Sequence, residues 1–210
     1  MYSKLKEFFF HEDRDLRDNR WIFASMLVGS VASLIAALVL SIDAFEIAKN
    51  PNVQLSCSIN AVVNCATVAK TTYASLLGFP NSFLGLISEP VVITVAVAGL
   101  FGVKFPRQFM FVAQLFYTAG FIFAYYLFFI GLTVIHAVCP WCLLVTLSTT
   151  FVLFSVTRYN IREGNLYLPD KLSDRAKEFI SNDYDKLLLM VLVFAIFTLL
   201  ILNYGSGLFA

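Results

Sequence analysis

Charge is what this chain has least of. Asp, Glu, Lys and Arg make up 14% of its 210 residues, where a soluble domain carries about 25%, and this argues against a water-soluble globule. The few charges nearly cancel, at a net +1, so the basic excess with which nucleic-acid binders meet phosphate is missing. There are four cysteines, too few to knit a small secreted scaffold. Two histidines, His11 and His136, are too sparse to complete a zinc site beside a Cys-x-x-Cys half, and His11 falls on the opposite side of the membrane from the cysteines. No internal repeat, low-complexity tract or flexible linker stands out. A cleaved leader is also missing: the charged stretch 4–20 is too long and too acidic for the n-region of a signal peptide, and no small-residue cleavage site follows the apolar run.

What the chain has instead is apolar length. Hydrophobic residues reach 59%, with 22 Phe and a mean hydropathy of +0.78. Crossing a bilayer takes about 20 apolar residues, and residues 21–42 supply them without one charge. A second run covers 82–103, interrupted only by Glu89 and Pro90. Between Arg107 and Arg158 there is no Asp, Glu, Lys or Arg; the roughly 50 residues would make a helix of about 75 Å, so they predict two spans. Gly131 and Pro140 put the turn near 131–138, and residues 187–204 form a fifth span. The expected fold class is an all-α integral membrane protein: a four-helix transmembrane bundle plus a fifth transmembrane helix.

Lys and Arg concentrate on the cytoplasmic side of membrane proteins. With the N-terminus cytoplasmic, thirteen basic residues fall inside, Lys4 and Lys6 among them, and only Lys49 and Lys70 outside. This predicts an inner N-terminus and an outer C-terminus. The chain then divides into a cytoplasmic segment at 1–20, a four-helix catalytic region at 21–157 with an outer loop at 43–81, a cytoplasmic connector at 158–185, and the fifth span with a short tail at 186–210. Within the connector, residues 171–180 form an amphipathic run suited to the inner surface.

This orientation collects all four cysteines on the outer side, where disulfides form and persist. Cys139-Pro140-Trp141-Cys142 places two sulfurs on one face at a helix start, close enough for a small disulfide ring. The helix N-terminus favours thiolate over thiol, and proline suits its first turn. Redox chemistry is favoured over half a zinc site or inert thiols. Cys57 and Cys65 enclose seven residues; alone they would read as a structural clip. A second pair on the same face lets two electrons pass between pairs by thiol–disulfide exchange.

After Cys57, Val62, Ala66, Ala69, Tyr73 and Leu76 recur at helical intervals, with Asn64, Thr67, Thr71 and Ser75 opposite, predicting a short amphipathic capping helix ended by Gly78 and Pro80. Glu89 lies two turns into the second span. An ionised carboxylate at mid-bilayer costs about 2.5–3.5 kcal/mol, so it faces the bundle or stays protonated, as a proton relay or as a hydrogen-bonded helix residue. His136, three residues before Cys139, is either a stabiliser of its thiolate or a solvated turn residue. Phe121, Phe123, Tyr125 and Tyr126 offer pocket walls, with lipid-facing packing the default for most of them.

Cys57, Cys65, the run Cys65-x-x-Val68-x-x-Thr71-x-Tyr73-Ala74, the turn Gly78-Phe79-Pro80-Asn81-Ser82 and Cys139-x-x-Cys142 at the head of a span together resemble the vitamin K epoxide reductase family over roughly residues 21–157. The resemblance implies a four-helix bundle around a quinone of the ubiquinone or menaquinone (vitamin K) type. It implies that Cys142 faces the quinone with Cys139 as its partner, that Cys65 exchanges with Cys139, and that Cys57 meets an external thiol. Asn81 would hydrogen-bond a quinone carbonyl, with Thr71 beside it. Two positions depart from the family pattern: Thr71 stands in place of the usual serine, and Thr146 in place of the tyrosine four residues after the last cysteine. Family members often carry a fused thioredoxin-like domain after the fifth span, whereas this sequence stops at Ala210, which implies a separate extracytoplasmic thioredoxin-like partner.

The expected function is a membrane thiol oxidoreductase, in a bacterial plasma membrane, that reoxidises this partner and passes the electrons through both pairs to membrane quinone, supporting disulfide formation. The alternatives are reduction of vitamin K epoxide or quinone with thiols as donor and, from another class, a noncatalytic scaffold with two structural disulfides.

Overall fold

The computed structural model describes residues 13–208; Lys4, Lys6, His11 and Ala210 lie outside them. Five helices are long and apolar enough to cross a membrane, and among the described residues there is no β-strand, only an isolated bridge.

The first, α1 (Arg14–Lys49), has 36 residues and is about 54 Å long, well beyond the bilayer core of about 30 Å. It outruns the 22-residue apolar segment because Arg14, Leu16, Arg17 and Arg20 before it and Ala44, Glu46, Ala48 and Lys49 after it are good helix formers. The Asp13 carboxylate starts it, accepting from the Asp15 N–H at 2.9 Å. The next spans are α3 (Ser82–Leu100), α4 (Arg107–Ile130), α5 (Pro140–Arg162) and α7 (Tyr184–Tyr204). The loop before α3 carries a short α2 (Cys65–Ala69), and α6 (Asp170–Ser181) occupies the connector where the amphipathic run was expected.

Helix α1 packs against both α3 and α5, and small residues set the distance. A Cβ at Gly85 would lie 2.7 Å from the Ala37 Cβ, and one at Gly29 would lie 2.8 Å from Val152 Cγ2. Close backbone approach through small residues is how membrane helices gain packing when lipid supplies no hydrophobic drive. Phe23, Met26, Ala96, Met110, Val152 and Tyr159 fill the bundle at the end away from the cysteines. There, too, the buried Asn160 amide donates to the Met110 carbonyl at 3.1 Å and to Gln114 Oε1 at 3.0 Å, tying α4 to α5.

Helix α7 lies outside the four-helix bundle and is fixed at both ends. Arg158 Nη1 donates to both Asp185 carboxylate oxygens, at 2.6 and 2.7 Å. At the other end Ile196 and Leu200 pack on Leu132, and the Tyr204 hydroxyl donates to the Gly131 carbonyl at 3.2 Å. The fifth helix therefore braces the α4–α5 turn, which includes a π-helical segment, Gly131–Ile135.

The single capping helix expected over 62–76 is instead two pieces, α2 and a 3₁₀ turn, Thr72–Ser75. Asn64 caps the start of α2, its Oδ1 accepting from the Thr67 N–H at 3.0 Å. The break falls at Thr71, whose backbone is extended (φ −79°, ψ 155°). Its hydroxyl donates to the Val68 carbonyl at 2.7 Å, a local bond that competes with helix continuation. Gly78, at φ 82°, then turns the chain into Asn81 and α3.

Candidate active site

Helix α5 begins at a cysteine. Cys139 is its N-cap, with Pro140 in the first turn, and the Cys139 sulfur accepts the Cys142 backbone N–H at 3.3 Å. Sulfur thus takes the place of the usual capping oxygen, satisfying one of the free donors of the helix start. Cys139 and Cys142 are free thiols, the first buried and the second half-buried.

The loop between α1 and α3 is clipped to this helix start by its backbone. The Val138 N–H donates to the Val62 carbonyl at 2.7 Å, and the Asn64 N–H donates to the Val138 carbonyl at 3.0 Å, forming a parallel bridge between Val63 and Val138. Two residues beyond Val63 on one segment is Cys65, and one residue beyond Val138 on the other is Cys139. Cys57, Cys65 and Cys139 accordingly share one buried cluster, with Cys142 and Trp141 packed against it. Cys57 and Cys65 are joined in a disulfide, with Cα atoms 5.6 Å apart. The site therefore holds one disulfide and one dithiol.

Hydrogen bonds from the Cys142 thiol and then from the Cys142 and Trp141 backbone N–H groups hold the Cys139 thiol below its ordinary range, against burial and the nearby Asp43 carboxylate, which push it up. The thiolate therefore persists to lower pH than in a free cysteine. In a pH titration of the ultraviolet thiolate absorbance, Cys139 should show its inflection below that of a free thiol. Replacing Cys142 by Ala should move the inflection upward by removing the largest stabilising bond, and an unmoved inflection would assign the effect to the helix N-terminus alone.

Below the cap, a cavity of about 1000 Å³ opens between α1, α3, α4 and α5. Cys65, Cys139 and Cys142 line its end beneath the cap, with Tyr73 and Asn81 from the cap and Glu89 deeper. The walls are otherwise mainly apolar, with Phe116, Phe123 and Phe128 from α4. Of the aromatics singled out in that helix, Phe123 faces the cavity, Phe121 packs on Tyr125 with ring centroids 4.3 Å apart, the Tyr125 hydroxyl meets Thr150 Oγ1 at 2.9 Å, and Tyr126 is exposed. A large apolar pocket with a few polar groups suits a flat, lipid-soluble ring.

The other expected site residues are placed as follows. Asn81 lines the cavity, but its side chain also holds the cap: Nδ2 donates to the Tyr73 carbonyl at 2.6 Å, and Oδ1 accepts from the Leu76 N–H at 3.2 Å. Thr71 stands off the cavity wall, its hydroxyl turned to Val68. Cys57 lies behind Cys65 rather than on the cavity. His136 is exposed, in a left-handed backbone conformation (φ 53°) at the α4–α5 turn. Glu89 faces the bundle and is buried.

Three residues escaped sequence reading. The Asp43 Oδ2 lies 3.7 Å from Cys57 Sγ, and its one sequence signal is that it is the first charge after the first span. Donor atoms of Asp43, Cys57 and Cys65 all lie within 4.8 Å of one another, but two sulfurs bonded to each other offer no thiolate to a metal. Ser33 and Tyr117 bind Glu89 from α1 and α4; a lone polar residue inside an apolar span carries no signal of its partner.

The vitamin K epoxide reductase family model matches residues 24–157. The chain belongs to that family. No curated protein and no solved structure matches it. Family membership and the five apolar helices make the chain a multi-pass membrane protein, and an oxidoreductase of the class that couples cysteine pairs to quinones. The matched region holds all four cysteines, the cap and the walls of the cavity, while α6 and α7 lie beyond it.

Proposed function

We propose that this vitamin K epoxide reductase homologue reoxidises a separate extracytoplasmic thioredoxin-like protein and passes the electrons to membrane quinone through two successive cysteine pairs. The observation that carries the proposal is the packing of Cys65 with Cys139 under a backbone clip, while Cys142 opens onto an apolar cavity.

A thiolate of the partner attacks Cys57, and the partner's second thiol resolves the mixed disulfide, leaving Cys57 and Cys65 as thiols. Cys65 attacks Cys139 of a Cys139–Cys142 disulfide and expels the Cys142 thiolate; Cys57 then attacks Cys65, reforming the loop disulfide. Two electrons now rest on Cys139 and Cys142, which is the arrangement of sulfurs observed: loop pair oxidised, helix pair reduced. Quinone of the ubiquinone or menaquinone type, when bound, supplies a lipid-soluble acceptor of two electrons and two protons. Asn81 uses one amide N–H on Tyr73 and has a second to offer a carbonyl in the cavity, and Thr71 contributes by breaking the cap between α2 and the 3₁₀ turn. The excess of Lys and Arg beside one set of helix ends favours a cytoplasmic N-terminus and an outer, oxidising cysteine face, as in a bacterial plasma membrane.

Removing the resolving thiol tests the route. In Cys57→Ser, Cys65 should accumulate in a mixed disulfide with Cys139, recovered as a cross-linked peptide after acid quench and alkylation. Recovery of only Cys139–Cys142 and free Cys65 would reject direct exchange between the pairs.

A further inference from the structure

One titratable group in the cavity has no part in the sulfur relay. Glu89 is 4% exposed, in a helix otherwise rich in aliphatic residues. Its Oε1 accepts from the Ser33 hydroxyl of α1 at 2.9 Å and from the Tyr117 hydroxyl of α4 at 3.3 Å, and its Oε2 lies 3.5 Å from the same Tyr117 oxygen. Thr149 of α5 adds a hydroxyl beside Tyr117. Every helix of the bundle thus contributes one polar group to this spot. Among the described residues lining the cavity Glu89 is the only carboxylate, no Lys, Arg or His joins it, and the other titratable groups are Tyr73, Tyr117, Cys139 and Cys142. An isolated carboxylate in a membrane interior without a cation is costly, so the neutral acid is the resting form.

Depth places this acid where an acceptor needs it. Glu89 is the eighth residue of α3, roughly 12 Å below the level of Asn81. That is about the span of one quinone ring with a hydrogen bond at each carbonyl. On α5, Thr146 and Thr149 follow Cys142 at four and seven residues and line the same cavity, so one helix face runs from the sulfur to the acid.

We propose that the Glu89 carboxyl group delivers a proton to the quinone reduced at Cys142, and that Ser33 and Tyr117 hold the carboxylate left behind. This rests on quinone being the electron acceptor. The balance requires two protons: two electrons leave the sulfurs as the Cys139–Cys142 bond forms, and each quinone oxygen gains one proton. When Cys139 is a thiolate the pair carries only the Cys142 proton, and Glu89 supplies the second. The carboxylate recovers its proton from water once the hydroquinone leaves.

Glu89→Gln separates this role from a helix staple, because the amide oxygen still accepts from Ser33 and Tyr117 but the group has no proton to give. Quinone reduction in single turnover should fall about 100-fold. Exchange between the cysteine pairs, followed by thiol trapping, and binding of a soluble quinone, followed by fluorescence of Trp141 beside Cys142, should stay within about twofold. An unchanged rate of quinone reduction with exchange intact overturns the role of Glu89 and leaves the quinone route standing. A wild-type protein that exchanges between pairs but reduces no quinone overturns the acceptor assignment instead. The wild-type protein supplies a measurement independent of any variant. On adding quinone to the reduced protein, the infrared band of a buried protonated carboxyl should be lost as hydroquinone forms, and a band that persists unchanged through the turnover overturns the proposal.

Discussion

Replacing Cys142 by alanine should abolish steady-state quinone reduction, lowering it by about three orders of magnitude or more, as removal of a reacting sulfur does in covalent catalysis. The first stage should survive. Cys57 and Cys65 remain a disulfide packed beside Cys139, so a reduced dithiol partner should still be oxidised in a burst of one equivalent per protein and then stop. The stop arises because Cys139 alone cannot form the second disulfide whose reduction empties the loop pair. The measurement is partner oxidation against time in purified protein with excess quinone. A burst without turnover fits two pairs in series. Undiminished turnover would sink the mechanism, and the absence of both burst and turnover in the wild-type protein would favour a scaffold with structural disulfides.

The parts of this site that sequence makes legible are those with local causes. Charge-free runs announce the five spans because bilayer thickness sets a minimum apolar length, and Cys139-Pro140-Trp141-Cys142 announces a helix start because proline and a capping side chain have fixed positions there. The clip between Val63 and Val138 is different. It joins two short extended segments far apart in sequence through backbone groups that every residue possesses, so no side-chain pattern records it. The break at Thr71 was hidden for a related reason: the apolar stripe of 62–76 fits a helix, and only the bond from its hydroxyl to Val68 shows the local competition. Glu89 was conspicuous as a charge in a span, but its partners Ser33 and Tyr117 were not, since nothing in a single sequence links one span's serine to another's carboxylate. Asn81 was legible as a turn residue with a role near the pocket, whereas its grip on Tyr73 and Leu76 depends on how the cap folds back over α3.

The second large effect concerns Cys65, and its value lies in what should survive. In Cys65→Ser, turnover driven by a protein dithiol should fall about 1000-fold, because the lone Cys57 thiol offers the partner no disulfide to reduce and nothing carries the electrons inward. Turnover driven by a small dithiol should persist, because Cys139 and Cys142 line the cavity and a molecule of that size reaches them without the loop. The substitution also removes a cross-link, and closing so short a loop is worth about 2–3 kcal/mol. That loss falls on the cap, which keeps its other ties: the bridge of Val63 to Val138, the Asn64 cap on α2 and the Asn81 grip on Tyr73. A structural role for Cys65 would therefore lower both activities together through a loosened cap. A relay role lowers one and spares the other, so the ratio of protein-driven to small-dithiol-driven turnover, measured on the same preparation, decides between them. Equal rates in the variant and the wild type with the protein dithiol would remove the loop pair from the route and leave Cys139 and Cys142 to meet the partner directly.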